Sequence, residues 1–385
     1  MASANGRIAA RRPQFRDRMT PVERLRASYA VRPVDRLVRT EFGWWPETMD
    51  RWKREGFEGE AAEVFGLDPM PMSTLAQAGW CDSPFVPPFE SKLLEVRGGY
   101  EIRQDASGRV LQVPQGRWSD VMPTFLDSPV KSRRDWEQNI KSRMDPQAPE
   151  RYQTIREKGD AVARAVAAGE TLHNAGFVGA YMHLRNLFGP EGVLYVFHDD
   201  PKLIHEIVQN WLEVVSAVCC AAQDKAPLFR IAAGEDICYK AGPLISPAMY
   251  REFLKPYYRQ LWETLENRQA EHVHFYYDTD GDPSLITDDI VGAGVDMLMP
   301  LEVAAGCDVL QYAERYPHVA FSGAVDKRVL AKTKAGIDRF LERIIPPMLE
   351  RGGFIPMCDH GVPYDVPLEN FIHYRERLME LGTPA

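Results

Sequence analysis

Short apolar runs alternate with longer amphipathic stretches along most of the chain, and the alternation is most regular after residue 150. Predicted strands cover residues 37–45, 170–179, 227–236, 272–278, 295–302, 318–326 and 352–360. Helices are predicted between them, and those in the last third begin near Pro283, Asp308, Asp326 and Pro367. Continuous apolar strands that alternate with helices are typical of a parallel sheet covered on both faces. The pattern therefore predicts an α/β fold.

The stretch before residue 150 departs from this alternation. A β-hairpin is predicted within residues 92–113, where YEIRQ and RVLQV flank the turn sequence DASG. A polar segment that contains proline indicates a boundary near residues 145–152. We therefore expect one domain over residues 21–385, with an excursion at about residues 85–150. Residues 1–20 are rich in arginine and are expected to form a flexible arm, or an arm that wraps a partner subunit.

Composition limits the class of protein. The 385 residues are 45% hydrophobic and 26% charged, which suits a large core and argues against global disorder. A net charge of −9 gives no electrostatic reason to bind nucleic acid or an anionic membrane. The six cysteines form no CxxC pair, so we expect reduced thiols in a cytoplasmic protein. The sequence contains no run of about 18 apolar residues, which is the length that a membrane-spanning helix needs.

Ionisable residues follow the predicted strands at their carboxyl ends. They are Glu41, Glu235, Asp236, Asp278, Asp280, Glu302, Asp326, Lys327, Asp359 and His360. In a parallel barrel these ends form one rim, which carries the active site. Helix capping would explain Asp326 equally well, and an ordinary surface turn would explain the sequence DTDGD at 278–282. For Asp278, Asp280, Glu302 and His360 together we favour a catalytic site.

Clustered carboxylates need a compensating cation or a shared proton. Asp278, Asp280 and His360 offer oxygen and imidazole ligands that suit a divalent metal such as zinc. Without a metal, the same groups form a general acid/base set in which His360 titrates near neutral pH. Trp44 and Trp45 would point to opposite faces of an extended strand, so one is expected in the core and the other in the pocket.

Several segments carry a resemblance to a known family. CDHGVPYDVPLENF (358–371) resembles the C-terminal signature of the uroporphyrinogen decarboxylase superfamily. AGPLISPAMYREFLKPYYRQL (241–261), AGVDMLMPLEVAAGCDV (293–309) and FSGAVDKRVL (321–330) are similar to further segments of it. RPVDRLVRTEFGWWPETMDRW (32–52) is similar to the N-terminal stretch of one of its branches. The resemblance implies a (β/α)8 TIM-type barrel with its pocket at the carboxyl ends of the strands.

The superfamily contains decarboxylases that use no cofactor and zinc-dependent methyltransferases that move methyl groups to or from a corrinoid carrier. The resemblance places His360 at the active-site histidine of the decarboxylases, where the methyltransferases have a zinc-ligating cysteine. It places Asp278 and Asp280 at the His-x-Cys pair of the methyltransferases. The zinc thiolates are therefore replaced by carboxylates in this chain.

The decarboxylases end their first strand in a basic stretch that grips acidic side chains of the porphyrinogen. Here the same place is Glu41-Phe42-Gly43-Trp44-Trp45, which does not suit a multiply charged carboxylate, so we do not expect a true uroporphyrinogen decarboxylase. We expect a methyltransferase that moves a methyl group from a small methylated substrate to a corrinoid on a partner protein, with Glu302 in the catalytic set.

The substrate is expected to contact Trp44, Trp45, Glu235, Asp236 and Tyr277. The alternative is a decarboxylase or other lyase that acts on a small carboxylated substrate without a cofactor, with His360 and an aspartate managing the proton. A barrel that only binds a ligand fits the clustered acids poorly. The resemblance also implies a homodimer.

Overall fold

A computed structural model of the protein describes residues 9–13, 15–117 and 122–384. The helices are α1 (Pro21–Tyr29), α2 (Pro46–Arg54), α3 (Ala61–Val64), α4 (Arg133–Asp135), α5 (Gln153–Ala167), α6 (Ala180–Asp199), α7 (Pro201–Gln223), α8 (Pro247–Phe253), α9 (Lys255–Glu266), α10 (Thr287–Val291), α11 (Val309–Arg315), α12 (Lys327–Leu330), α13 (Lys334–Arg351) and α14 (Leu368–Leu381). Residues 1–8 and 14 of the predicted arm lie outside the described residues.

The strands are β1 (Met72–Ala78), β2 (Lys92–Arg97), β3 (Tyr100–Gln104), β4 (Val110–Pro114), β5 (Thr124–Asp127), β6 (Leu172–Val178), β7 (Arg230–Gly234), β8 (Cys238–Tyr239), β9 (Gly242–Pro243), β10 (His274–Asp278), β11 (Met297–Met299), β12 (Ala320–Val325) and β13 (Phe354–Cys358). The chain divides into two compact units. The smaller comprises Met1–Pro71, Asp280–Asp282 and Asp296–Ala385, and the larger comprises Met72–Thr279 and Pro283–Val295.

Four parallel strands form the centre of the larger unit, in the order β1, β6, β7, β10. Every residue of β6 is buried, as expected for a strand with helices on both faces. The pairing of β10 with β7 sets Asp278 opposite Gly234, so both strands end at the same level. Helices α5, α6 and α7 lie between these strands in the chain, in the predicted strand–helix alternation.

Strand β1 was missed by the sequence pattern. Its sequence, MSTLAQA, contains serine, threonine, glutamine and two alanines, so it lacks the apolar run that marks the other parallel strands. It is a strand because it pairs in parallel with β6, from Met72 opposite Leu172 to Ala78 opposite Phe177. Tertiary pairing has overridden a weak local preference.

Three parallel strands, in the order β11, β12, β13, form the centre of the smaller unit. The strand predicted over residues 37–45 is wrong in extent, because its pairing is reduced to one parallel bridge between Trp44 and Val362. Upstream of the bridge, the backbone N–H of Cys358 donates to the Glu41 carboxylate at 2.7 Å instead of to a strand carbonyl. A side chain has therefore taken the place of a ladder hydrogen bond.

A four-stranded antiparallel sheet, in the order β2, β3, β4, β5, forms the predicted excursion. The hairpin of β3 and β4 is confirmed, with Tyr100 opposite Pro114 and Gln104 opposite Val110. The Asp105 carboxylate accepts from the backbone N–H groups of Ser107 and Arg109, which closes the turn. The single-domain boundaries stay a prediction.

One predicted helix is divided in two. The stretch that begins after Ser246 forms α8 and α9, which meet at Leu254. Pro256 lies in the first turn of α9, where its missing N–H is tolerated, and it restricts the residues before it. None of the described helices is both long enough and apolar enough to cross a membrane.

Candidate active site

The carboxyl ends of the three parallel strands in the smaller unit carry ionisable side chains at one level. The register of β12 and β13 pairs Val325 with Cys358, so Lys327 and His360 each follow two residues beyond a paired strand end. Glu302 follows β11 after a short turn. Because parallel strands share one carboxyl edge, these side chains converge.

Asp280 and His360 form a hydrogen-bonded pair at this edge. Asp280 Oδ1 lies 2.9 Å from His360 Nε2, and the side chains are 44% and 22% exposed. The ring of Phe42 stacks on the imidazole with 5.7 Å between centroids and 30° between planes. His360 Nδ1 is buried and has no hydrogen-bond partner in the described part of the chain. The one hydrogen bond of the imidazole that the structure shows is therefore the one to the Asp280 carboxylate.

Two opposing effects set the pKa of His360. Burial alone lowers it, but the hydrogen bond that Nε2–H donates to Asp280 and the charge of that carboxylate raise it more, so the pKa lies above the ordinary value of 6.5. Lys327 lowers the pKa and Glu302 raises it further. The imidazole is therefore held in its protonated form to a higher pH than a free histidine, and it can serve as a proton donor.

A second group of ionisable side chains lies next to this pair and comprises Glu302, Lys327 and Asp359. Glu302 accepts hydrogen bonds from the backbone N–H of Gly281 at 3.0 Å and from Lys327 Nζ at 3.4 Å. Because Gly281 is next to Asp280 in the chain, Glu302 fixes the loop that presents the Asp280 carboxylate. Lys327 is the cation that balances Glu302.

Asp359 is fully buried. Its carboxylate accepts from the backbone N–H of Val303 at 3.0 Å and lies 4.0 Å from Lys327 Nζ. Burial raises its pKa, against the opposing charge of Lys327. Asp359 therefore holds the segment after Glu302 in place and is not exposed to a substrate. Neither Asp359 nor Lys327 belongs to the predicted catalytic set, although their strand-end positions were visible in the sequence.

Glu41 is a buried link between the N-terminal segment and β13. It accepts from the backbone N–H groups of Cys358 and Phe42, and Arg375 Nη1 lies 3.4 Å away. Burial raises its pKa, while the Arg375 charge lowers it. This carboxylate fixes the segment that presents Phe42 to His360.

The two tryptophans take different places. Trp44 packs in an aromatic cluster with Trp52, Phe65 and Phe371, at centroid distances of 6.2, 5.5 and 6.5 Å. Trp45 is 40% exposed and begins α2. Its indole lies against Gly361, where an added Cβ would be 3.2 Å from the indole nitrogen. Trp45 is thus next to the residue after His360, and Phe42 is also 40% exposed. A substrate contact of Trp45 stays a prediction.

The residues of the smaller unit do not fit a zinc ion. In the described part of the chain, Asp280, Glu302 and His360 do not bring three ligand atoms within 4.8 Å of one another. Among the described residues, Cys307 and Cys358 do not belong to a group of three donor atoms at this spacing either. The predicted metal set also includes Asp278, which belongs to the larger unit, and it stays a prediction.

Asp278 and Tyr277 end β10 in the larger unit. The backbone carbonyl of Asp278 accepts from the N–H of Glu235 at 2.8 Å, which extends the pairing of β10 and β7 by one bond. Tyr277 is fully buried, and its ring lies 5.7 Å from that of Tyr258. The structure therefore places Tyr277 in the core of this unit, and the predicted roles of both residues in substrate binding or catalysis stay predictions.

Glu235 lies buried at the first turn of α6. Its carboxylate accepts from the backbone N–H groups of Tyr181 and Met182 at 3.1 and 3.2 Å. Burial raises the pKa of Glu235 to about 8, so the group is largely neutral at pH 7. Asp236 is partly exposed, has a φ of 49° and pairs with Arg185 at 2.7 Å. Their predicted contacts with a substrate stay predictions.

Comparison with known families places the chain in context. A family model described as uroporphyrinogen decarboxylase (URO-D) matches residues 116–380. The uroporphyrinogen decarboxylase of Geobacter metallireducens is 29% identical over 144 residues, which are 37% of this chain and 40% of that enzyme. The chain therefore spans about two fifths of the length of the curated relative that it matches.

Solved structures are similar in fold. A methyltransferase from Methanosarcina mazei superposes with a TM-score of 0.59 at 15% identity, over 94% of this chain and 99% of that one. A B12-independent methionine synthase from Shewanella sp. W3-18-1 has a TM-score of 0.37 at 8% identity, over 76% and 73% of the two chains. The first likeness shows the fold alone, and it confirms the predicted α/β class of TIM-type barrel.

Proposed function

The chain belongs to the uroporphyrinogen decarboxylase (URO-D) family, and from this premise we propose that it is an enzyme that moves a methyl group from the heteroatom of a small substrate to a corrinoid carrier. The observation that carries the proposal is the partly exposed pair of Asp280 and His360, in which the carboxylate raises the pKa of the imidazole. The methyltransferase from Methanosarcina mazei shares the fold and supports the choice of reaction.

The protonated pair supplies what demethylation of a heteroatom needs. When the bond between the methyl carbon and the heteroatom breaks, its electron pair stays on the heteroatom, which becomes a poor leaving group unless it gains a proton. In the proposed step, the proton held between His360 Nε2 and Asp280 passes to the heteroatom. Asp280 then stabilises the imidazole for reprotonation from solvent.

The charges around the pair favour a neutral substrate. Asp280 presents an exposed carboxylate, and Lys327 already faces both Glu302 and Asp359. An anionic substrate would meet the Asp280 carboxylate as a like charge, and among the described residues the cations next to it, His360 and Lys327, already face carboxylates. The exposed rings of Phe42 and Trp45 offer apolar surface beside the imidazole. A methyl ether, a methyl thioether or a methylamine in its unprotonated form fits these groups best.

The methyl acceptor comes from outside the chain. A reduced corrinoid on a partner protein is a strong nucleophile and would accept the methyl group. The proposed proton transfer is a property of the chain's own residues and is argued without a metal ion. His360 supplies the activation by proton transfer instead.

A decarboxylase or other lyase is the second candidate. The same protonated imidazole would donate its proton to the carbanion left when carbon dioxide departs, and this chemistry needs no cofactor. The relative from Geobacter metallireducens is a decarboxylase, which favours this candidate. The exposed Asp280 carboxylate argues against it, because the substrate of a decarboxylase is an anion.

One assay separates the two candidates. The purified protein is incubated with chemically reduced cobalamin and a panel of methyl ethers, thioethers, methylamines and their carboxylated analogues. Demethylated product together with methylated cobalamin supports methyl transfer, whereas release of carbon dioxide without cobalamin supports the lyase. His360→Ala should reduce either activity by about 100-fold or more. His373→Ala is the matched control, because His373 pairs with Asp338 at 2.7 Å between α13 and α14, away from the strand ends.

The cysteines support a reducing compartment. All six are free, with Cys81 exposed and the other five buried or partly buried. Free thiols persist where the surroundings keep them reduced. We therefore propose that the protein works in the cytoplasm, with the corrinoid protein as its partner.

A further inference from the structure

Strand β2 is an exposed edge of the antiparallel sheet. In the part of the chain that the structure describes, β3 is its one strand partner. All six residues of β2 are exposed, and Leu93, Leu94 and Val96 are 48%, 47% and 49% exposed. Edge strands that carry apolar residues tend to pair with another strand unless something covers them. We therefore expect another strand to pair with the free edge of β2.

A bulge changes which side chains share a face of β2. Leu93 lies opposite Arg103 and Glu95 lies opposite Ile102. Leu94 is therefore an extra residue that pairs with no residue of β3. Side chains alternate between the two faces of a regular strand, and one extra residue reverses that alternation. Residues that would otherwise point to opposite faces are thereby brought to the same one.

The reversed alternation gathers the charged residues on one face. Lys92, Glu95 and Arg97 lie opposite alternating residues of β3, namely Gln104, Ile102 and Tyr100. Glu90 precedes them and lies 3.3 Å from Lys92. Along this face the charges run acid, base, acid, base. Read in the opposite direction, the order is base, acid, base, acid.

This order is complementary to itself when two copies run antiparallel. In one register, Lys92 of each copy faces Glu95 of the other, and Glu90 faces Arg97. The same register places Leu93 against Leu94 at the two-fold axis. Without the bulge, Lys92 and Glu95 would lie on opposite faces and could not meet. The existing pairs within the strand are exposed and weak, so they do not compete strongly.

We propose that β2 is a docking surface for a second copy of this chain, which adds its own β2 antiparallel and forms a two-fold symmetric dimer. A symmetric interface must match itself, and the charge order of β2 meets that requirement. Backbone hydrogen bonds of the free edge and burial of the exposed leucines and Val96 supply the remaining stabilisation. The inference does not depend on the proposed reaction.

A charge exchange tests the interface. Lys92→Glu converts both symmetric Lys–Glu contacts into Glu–Glu contacts, and Glu95→Lys converts them into Lys–Lys contacts. Each single variant should weaken dimerisation by about tenfold or more. The double variant Lys92→Glu/Glu95→Lys restores opposite charges and should dimerise nearly as well as the wild type. Sedimentation velocity over a range of protein concentrations measures all three.

Lys53→Glu is the matched control, because Lys53 is an exposed lysine on α2 whose partner, Asp50, is 3.9 Å away. It should leave the dimerisation constant unchanged. Circular dichroism of each variant checks that the fold is retained. A monomeric wild type at all concentrations would overturn the inference, and so would single variants that dimerise normally or a double variant that stays as weak as the singles.

Discussion

At the scale of single residues, the contact with Asp280 controls the protonation of His360. Burial disfavours its charged form, and the hydrogen bond to Asp280 reverses that preference. The Asp280–His360 interaction therefore stabilises the folded protein fully below the ordinary pKa of 6.5, and this stabilisation is lost as the pH rises through the higher pKa of the folded state.

Asp280→Asn should lower the pKa of His360, because it removes the negative charge that favours the imidazolium. Nuclear magnetic resonance titration of the imidazole C–H signals measures this directly. The signal of His373, which has its own aspartate partner, should not move. An unchanged His360 titration would show that Asp280 does not control its protonation.

The two adjacent tryptophans should respond differently to substitution. Trp44→Ala removes a ring from the cluster of Trp52, Phe65 and Phe371 and should lower the free energy of unfolding by about 3 kcal/mol. Trp45→Ala removes a partly exposed ring outside this cluster and should cost about 1 kcal/mol or less. Urea denaturation of both variants gives the two values. Equal losses would contradict the division into a core residue and a surface residue.

The sequence could indicate which residues gather at the strand ends, but not how they divide into roles. Asp278, Asp280, Glu302 and His360 were predicted as one group. The structure brings the last three to one edge of the smaller unit, whereas Asp278 belongs to the larger unit and its role stays a prediction. Asp359 and Lys327 occupy similar positions in the sequence, yet Asp359 is buried. Exposure depends on packing by distant segments, as does the stacking of Phe42 on His360. Neither can be derived from spacing along the chain.

At the scale of elements, the junction of β7 and α6 contains a buried carboxyl group at a helix N-terminus. Glu235 approaches the first turn of α6 so closely that a Cβ at Gly179 would collide with its carboxyl group. The helix dipole and two N–H donors favour the charged form, but burial outweighs them and raises the pKa to about 8. A largely neutral carboxyl group thus accepts the hydrogen bonds of the first turn of α6 at pH 7.

Glu235→Gln should remove a pH dependence of stability. In the wild type, a carboxyl group with a raised pKa stabilises the fold fully below about 4.5, and this stabilisation is lost as the pH rises to about 8. The free energy of unfolding of the variant minus that of the wild type should therefore increase with pH across this range and stay constant above it. Denaturant midpoints at several pH values test the trend. A wild type that is equally favoured over the variant at every pH would contradict it.

The elements that the sequence predicted well are those with a strong apolar period. Strands β6, β7, β10, β12 and β13 were found because both of their faces are buried, which leaves a continuous apolar run. Strand β1 was missed because its alanine-rich and polar sequence forms a strand through pairing with β6. The segment 37–45 was overpredicted because its pairing is reduced to the bridge at Trp44, and the Glu41 carboxylate takes the backbone N–H of Cys358. Such outcomes depend on tertiary contacts.

At the scale of the whole molecule, the fold class was predictable and the reaction was not. Alternation of strands and helices is a property of the entire chain and needs no accurate boundaries. Barrels of this class support many reactions, which differ in a few side chains at the strand ends. The substrate is therefore decided by local charge and shape, which only the side-chain arrangement reveals.

The charge of the whole molecule should influence which substrates the protein uses. The chain carries a net charge of −9 and presents Asp280 at its candidate site, so a carboxylated substrate should be used about tenfold less well than its neutral analogue. The ratio of kcat/KM for such a matched pair measures the preference. Added salt should narrow the difference through screening. A preference for the carboxylated analogue would favour the lyase.

The most direct measurement is the pH dependence of methyl transfer to reduced cobalamin by the wild type, Asp280→Asn and His360→Ala. If protonated His360 is the acid, kcat/KM of the wild type should fall as the pH rises through a pKa above 6.5. The fall should move to lower pH in Asp280→Asn and should disappear in His360→Ala, whose rate is lower by about 100-fold or more. Full activity of His360→Ala with an unchanged pH profile would contradict the proposed role of this pair.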